Sequence, residues 1–324
     1  MSRLNKELGL LQGVALLSTS LLGTGIFVVP ALAATAAGAA SLWAWMILIA
    51  LVLPVAFTFA QLGKRYPHAG GAPHLIGRAF GLRMEGVSAL LFLAVLPVGL
   101  PAALHIASGF WLALFDLDRV GLLAIELATL AAILLLGQRP PKASGLLQGL
   151  IAVAIVASVA LIWWMGDLPR TSQPLLPAMD GQWHLLPTAL GVMFWCFVGI
   201  EAFTHLGEEF KRPERDFPLA LLLGVLLAGL VYWACSVAVL SFATYGDVHS
   251  DTTALPRLFE QLLGEQARAL VAVLGYLACF ASMNVYIQGF ARLIWSLADE
   301  DKLPSALAVR NRHGVPARAL LLVV

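Results

Sequence analysis

The chain has 324 residues, of which 60% are hydrophobic and only 12% are charged, and its formal net charge is +1. A soluble domain carries roughly a quarter charged residues. The composition therefore excludes a soluble globular protein, and the near-neutral charge gives no reason to expect a nucleic-acid partner. The three cysteines lie in separate apolar blocks, which argues against a disulfide framework or a metal site.

Apolar blocks long enough to cross a bilayer as helices follow one another along the chain. They predict transmembrane segments at about 10–35, 42–62, 86–115, 120–137, 145–166, 186–206, 219–243 and 268–298, and a partial ninth from about residue 319. The connections are short and polar, although the one at 63–85 is long enough for a short re-entrant or surface helix. We therefore predict a single transmembrane domain over residues 1–324.

Positive charges are divided unevenly between the two sides that this alternation defines. Of the 20 Lys and Arg residues, all but Arg119, Arg170, Arg257 and Arg268 fall on the side of the N terminus. Because cytoplasmic connections carry the excess of Lys and Arg, we predict that the N terminus is cytoplasmic.

Two of the predicted segments carry glycines near mid-membrane. The first contains Gly23 and Gly25 on either side of Thr24, and the sixth contains Gly199 two residues before Glu201. Glycine weakens a helix interior. Segments one and six also occupy corresponding positions in two five-helix halves, and paired breaks at such positions point to a transporter binding site.

A broken membrane helix exposes backbone groups that lipid cannot satisfy, so they must face a cavity or a ligand. The N-terminal end of a half-helix offers amides to a carboxylate, and a C-terminal end offers carbonyls to an ammonium. Two adjacent breaks therefore suit an amino acid zwitterion. We predict substrate contacts from Leu22, Gly23, Thr24, Gly25, Ile26, Phe194, Trp195, Phe197, Val198, Gly199, Ile200 and Asn284.

Two of these predictions have structural alternatives. Close helix packing through small residues would also explain Gly23-Thr24-Gly25. A hydrogen bond between helices is an equal alternative for Asn284.

Two acids, Glu126 and Glu201, lie well inside apolar segments. A low dielectric favours the protonated form of a carboxyl group. Glu201, next to the second break, is therefore the candidate for proton coupling, with a structural hydrogen bond between helices as the alternative. For Glu126 we favour a structural contact or a position near the interface, and for His105 and His205 a packed, singly hydrogen-bonded ring.

Four ordered motifs resemble those of the amino acid–polyamine–organocation (APC) superfamily. They are Gly23-Thr24-Gly25-Ile26-Phe27, the Tyr66-Pro67-His68-Ala69-Gly70-Gly71 connection, the run from Glu209 to Pro218, and the run from Ala298 to Pro304. Arg212 stands where the superfamily motif usually has asparagine. Together the motifs cover essentially the whole chain.

The resemblance implies an all-α membrane protein, an inverted-repeat bundle of the LeuT/APC type with helices one and six discontinuous. Helices nine and ten of that bundle would be missing, so we expect a truncated sequence. The resemblance also implies that Glu201 senses protons, that Trp195 gates the substrate and that Gly199 is a hinge.

Within the superfamily the likeness is greatest to proton-coupled exporters of methionine and branched-chain amino acids. We therefore expect antiport of L-methionine, leucine, isoleucine or valine across a bacterial inner membrane, with proton-symport uptake as the alternative. The expected partners are the amino acid, protons and membrane lipid. The proton gradient supplies energy and no cofactor is expected.

Apolar residues dominate the segments predicted to line the substrate pocket. A charged substrate side chain would lack a partner there, and an unpaired buried charge is costly. Intramembrane enzyme motifs such as HExxH and GxSxG are not found in the sequence. Gly63-Lys64 lacks the upstream glycine of a P-loop, which excludes an ATP-driven pump on this chain.

Overall fold

The computed structural model describes residues 6–23, 25–168, 183–246 and 254–324. Within these ranges the regular structure is helical, apart from one isolated β-bridge between Leu8 and Phe210. Seven helical spans are long and apolar enough to cross a membrane, and one bent helix pair makes an eighth.

The first half of the chain forms five spans and one short connecting helix. The first span is the bent pair, whose two helices meet at an angle of 49°. The third span is nearly continuous from Leu82 to Leu112. The helices are α1 (Leu10–Leu22), α2 (Gly25–Ala37), α3 (Ala40–Arg65), the short α4 (Gly71–Phe80), α5 (Leu82–Ala94), α6 (Leu96–Gly109), α7 (Arg119–Gly137) and α8 (Pro141–Met165).

The second half begins with another interrupted span, from Trp183 to Glu209. In that span, short 3-10 turns at Trp195–Phe197 and Thr204–Glu209 flank a single turn of α-helix. The helices of this half are α9 (Leu186–Phe194), α10 (Ile200–Phe203), α11 (Asp216–Ser241), α12 (Ala254–Leu263), α13 (Ala267–Asp299) and α14 (Ala317–Val323).

The predicted fold class is confirmed in its main features. The described chain is an all-helical bundle with about eight spans, and spans one and six are the discontinuous ones. The 63–85 connection contains the expected short helix, α4. Helix α12 was not predicted, because its 10 residues are too few to stand out as an apolar block.

The connections predicted to share one side of the membrane meet at one end of the bundle. The N–H groups of Glu7 and Leu8 donate to the carbonyl of Glu209 at 2.9 and 3.0 Å. At the same end, the Asn311 amide donates to the carbonyl of Gln138 at 2.9 Å. This clustering agrees with the alternation from which the orientation was predicted.

Close helix packing depends on a glycine at one position and on a buried tryptophan at another. A Cβ on Gly13 would lie 2.6 Å from the ring of Phe210, so a larger residue would push α1 away from its neighbours. Trp45 is fully buried, donates through Nε1 to Ser236 Oγ at 2.6 Å, and stacks on Tyr232 with ring centroids 4.9 Å apart. These contacts fix the position of Tyr232, which reaches the first break.

Candidate functional site

A cavity of about 260 Å³ lies between the two interrupted spans. Its walls come from α1 and α2, the third span, the α9–α10 break, α11 and α13. The lining residues are Ser20, Leu21, Gly23, Gly25, Phe92, Val95, Leu96, Gly99, Leu100, Ala103, Trp195, Cys196, Val198, Glu201, Ala202, Tyr232, Cys279, Ser282, Met283, Tyr286, Ile287 and Phe290. Apolar side chains and glycines make up most of this surface.

The first break exposes the carbonyl end of α1, and the protein supplies partners for it. A helix leaves its last four carbonyls without partners inside the helix, and in α1 these belong to residues 19–22. Gly23 N–H donates to the first carbonyl at 3.0 Å, and Ser282 Oγ donates to the second at 3.0 Å. The Tyr232 hydroxyl lies 2.9 and 3.0 Å from the third and fourth carbonyl oxygens.

The second break has a different backbone geometry. Val198 is extended, with φ −67° and ψ 129°, and Gly199 has φ 119°, a left-handed conformation that glycine adopts without strain. The Tyr286 hydroxyl donates to the Val198 carbonyl at 2.9 Å. The N–H of Gly199 donates to Oε2 of Glu201 at 3.0 Å, so this carboxylate satisfies the amide of the residue that precedes the short helix α10.

The polar groups of the cavity lie at the two breaks, and the rest of its wall is largely apolar. Helix α1 presents its carbonyl end near Gly23, and α2 presents its amide end at Gly25. Glu201 is the only acidic or basic residue lining the cavity in the described part of the chain. The Ser20 hydroxyl, which is buried at the same place, has no hydrogen-bond partner among the described residues.

The structure brings five of the predicted site residues to the cavity: Gly23, Gly25, Trp195, Val198 and Glu201. Gly199 adjoins it, since a Cβ there would lie 2.2 Å from the hydroxyl oxygen of Tyr286. Thr24 lies outside the described residues.

Five other predicted residues are placed elsewhere. Phe194 is 57% exposed and does not line the cavity, and the remaining four are buried in the hydrophobic core. Successive residues of a helical segment point in different directions, so neighbours of a lining residue face other helices. The four core residues are Leu22, Ile26, Phe197 and Ile200.

Asn284, which was predicted to contact the substrate, does not line the cavity. Its Nδ2 donates to Ser144 Oγ at 2.8 Å, and its Oδ1 accepts from Gln288 Nε2 at 2.9 Å. Asn284 is fully buried between α13 and α8. The hydrogen bond between helices, considered as the alternative, is the arrangement that the structure contains.

Four polar lining residues were not predicted: Ser20, Tyr232, Ser282 and Tyr286. Each is a hydroxyl-bearing residue inside an apolar segment, which is a signal that the sequence does contain. It does not distinguish a residue facing the cavity from one facing a neighbouring helix.

The remaining membrane-depth ionisable groups have structural partners. Glu126 accepts from Ser108 Oγ at 3.0 Å, and His105 Nδ1 lies 3.6 Å from the same carboxylate. His205 is buried, with Nδ1 2.9 Å from the carbonyl oxygen of Ala69. These contacts match the structural interpretation of Glu126 and His205, whereas the His105 ring is 79% exposed and is not packed.

A polar cluster at the ends of the spans links the 63–85 connection and the first turn of α5 to the segment after α13. The rings of His68 and His74 stack with centroids 3.9 Å apart, and His68 Nε2 lies 3.7 Å from Glu300. Lys302 Nζ lies 3.1 Å from Glu85 and also pairs with Glu300. Burial lowers the pKa of both histidines.

The hydrogen bonding of this cluster suits an ionic connection better than a metal centre. His68 Nδ1 accepts from Gly70 N–H at 3.1 Å, so a neutral ring carries its proton on Nε2. That nitrogen then has no lone pair for a metal ion. Lys302 already pairs with the carboxylate that would be the third ligand.

The site and the fold together define a secondary transporter, in which two broken spans enclose a cavity near the middle of the bundle. The chain belongs to the amino acid permease family, whose match extends over residues 8–324. The predicted APC resemblance is thereby confirmed.

Similar proteins share most of this chain. It is 53% identical over 320 residues to the L-methionine/branched-chain amino acid exporter YjeH of Escherichia coli K12, covering 99% of this chain and 76% of the relative. It is 28% identical to the uncharacterized amino acid permease YecA of Bacillus subtilis, covering 93% and 71%. The crystal structure of MhsT in complex with L-phenylalanine has the same fold, with a TM-score of 0.68 and 15% identity, covering 100% of this chain and 78% of MhsT.

Proposed function

We propose that this protein exports methionine and branched-chain amino acids across the bacterial inner membrane in exchange for protons. The observation that carries the proposal is an apolar cavity bounded by two helix breaks, with Glu201 as its single charged lining residue in the described chain. The 53% identity to an exporter named for these substrates supports the substrate class and the direction. The N terminus lies on the cytoplasmic side in this proposal.

The zwitterion would bind with its two charged groups at opposite helix ends. The amide end of α2 and the unpartnered Ser20 hydroxyl suit the carboxylate. The carbonyl end of α1, the Val198 carbonyl and the Glu201 carboxylate suit the ammonium. The substrate side chain would lie against the apolar wall formed by Phe92, Leu96, Leu100, Met283, Ile287 and Phe290.

Proton coupling follows from competition for Glu201. One carboxylate oxygen accepts from Gly199 N–H, which leaves the other oxygen for the ammonium or for a proton. A proton neutralises the carboxylate and weakens its attraction for the ammonium, so proton and substrate bind in alternation. Trp195, whose exposed ring borders the cavity, would gate the substrate, and Gly199 would be the hinge.

The test uses proteoliposomes that are preloaded with labelled methionine or leucine. Antiport predicts that acidifying the outside speeds loss of the label, because protons enter as the amino acid leaves. Symport predicts the opposite, since entering protons would retain or accumulate the amino acid. If the loss of label is the same with and without the pH gradient, proton coupling is refuted.

The matched variants are Glu201→Gln and Glu126→Gln. The Glu201→Gln variant should still exchange one amino acid for another. Its loss of labelled amino acid should no longer respond to the pH gradient. Glu126→Gln should behave as the wild type, because a glutamine oxygen can still accept from Ser108 Oγ. An unchanged pH dependence in Glu201→Gln would discard the assigned role.

A further inference from the structure

Each helix break is joined to an unbroken span by one tyrosine hydroxyl. We propose that Tyr232 and Tyr286 are positioning residues of the transport site, which hold the carbonyl groups of both breaks in the geometry that receives the substrate ammonium. This inference rests on the proposed function. Neither residue belongs to a broken span: Tyr232 lies on α11 and Tyr286 on α13.

Tyr232 is held rigidly before it reaches the first break. Its ring stacks on Trp45 at an interplanar angle of 14°, and both side chains are fully buried. From this position its hydroxyl lies 2.9 Å from the Leu21 oxygen and 3.0 Å from the Leu22 oxygen. The tyrosine therefore holds the end of α1 against α11, a helix that has no break.

The hydroxyl of Tyr232 also explains the glycine that begins α2. A Cβ on Gly25 would lie 2.3 Å from that hydroxyl oxygen, whereas the next nearest atoms are 3.4 Å away. Gly25 is the first residue of helix α2, and a helical backbone does not itself require glycine. The glycine is needed because the tyrosine hydroxyl occupies the space of a side chain.

Tyr286 repeats this arrangement at the second break. Its hydroxyl donates to the Val198 carbonyl at 2.9 Å, and a Cβ on Gly199 would lie 2.2 Å from the same oxygen. Here the backbone also requires glycine, because φ is 119°. At both breaks a hydroxyl therefore passes through the gap that a glycine leaves and meets a freed carbonyl.

The consequence for binding follows from the lone pairs of a carbonyl oxygen. Such an oxygen accepts two hydrogen bonds, so a tyrosine hydroxyl on one lone pair leaves the other for an ammonium N–H. A carbonyl already held in direction loses less freedom when the substrate binds. Removing either hydroxyl should therefore weaken substrate binding more than it slows the transport cycle.

The first test compares three substitutions that each remove one hydroxyl. Tyr232→Phe and Tyr286→Phe act at the cavity. Tyr276→Phe is the control, since Tyr276 lies on the same helix as Tyr286 but its hydroxyl pairs with Thr129 Oγ1 at 2.8 Å and does not line the cavity. Methionine transport is measured in proteoliposomes with protein of verified monodispersity.

We expect KM to rise about threefold to tenfold in each cavity variant, which is the scale of one lost hydrogen bond, while the maximum rate changes less than about twofold. The control should keep the wild-type KM. A wild-type KM in either cavity variant, or an equal rise in the control, would overturn the proposal.

A second test needs no substrate and so remains informative if the transport proposal itself fails. Gly25→Ala should lower the melting temperature of the purified protein, because its methyl group meets the Tyr232 hydroxyl. In the Tyr232→Phe background the same substitution should have less than half that effect. Equal effects in both backgrounds would refute the contact, whereas an absence of amino acid transport in the wild type would refute only the proposed function.

Discussion

Glu209→Ala should destabilise the helix bundle by about 3–5 kcal/mol, because it leaves the buried guanidinium of Arg292 without its counter-charge. Both side chains of this pair are only 2% exposed. Arg292 donates through Nε to one carboxylate oxygen and through Nη2 to the other at 2.9 Å. Its Nη1 donates to the Gln288 carbonyl at 2.8 Å, a contact that the substitution leaves in place.

The magnitude can be separated from a packing effect by removing both charges. The attraction between two buried ions offsets only part of the free energy needed to remove them from water. Well-packed apolar replacements of similar size therefore often leave the stability unchanged. Glu209→Leu combined with Arg292→Met should therefore recover most of the loss. The backbone bonds from Glu7 and Leu8 to the Glu209 carbonyl persist in every variant.

The assay is thermal unfolding of the detergent-purified protein, followed by size-exclusion chromatography of the heated samples. The wild type, the single variant and the double variant are compared at one protein concentration. A single variant that melts with the wild type, or a double variant that melts as early as the single one, would refute this reasoning.

Two further results are expected. Asn284→Ala should lower the free energy of unfolding by about 1–3 kcal/mol, and with it the melting temperature, because Ser144 and Gln288 lose a buried partner. The KM for methionine should not change. A raised KM with normal melting would contradict the placement of Asn284 away from the cavity. Burial lowers the pKa of His68 and His74 below the ordinary value of 6.5, so the unfolded chain binds more protons and stability should fall as pH drops through that value. Replacing both histidines by asparagine should flatten melting temperature between about pH 7 and pH 5, and an unchanged slope would count against it. The charged groups facing the pair are Arg78, Glu85, Glu300 and Lys302.

Much of the fold could be predicted, because the features that define it are local. The length of an apolar block can be read directly from the sequence, and the length that a span needs is set by the thickness of the bilayer. Glycines at Gly23, Gly25 and Gly199 marked the breaks because backbone freedom belongs to the residue itself. Glu201 could be singled out for the same reason, as an acid surrounded in sequence by apolar residues.

The facing of side chains could not be predicted in this way. Asn284 and Tyr286 are two residues apart on α13, yet Tyr286 lines the cavity and Asn284 contacts α8. Two residues along a helix turn the side chain by more than half a revolution. Which of the two faces the cavity depends on how α13 is rotated against its neighbours, and that rotation is a property of the packed bundle.

The sequence by itself determined the membrane class, the spans, the two breaks and the family, because each follows from composition or from motifs read along the chain. Only the tertiary structure decided which groups complete the breaks. The Tyr232 hydroxyl and the Leu21 carbonyl are 211 positions apart in the chain but 2.9 Å apart in space. Contacts of that kind arise from helix packing, which no local stretch of sequence specifies.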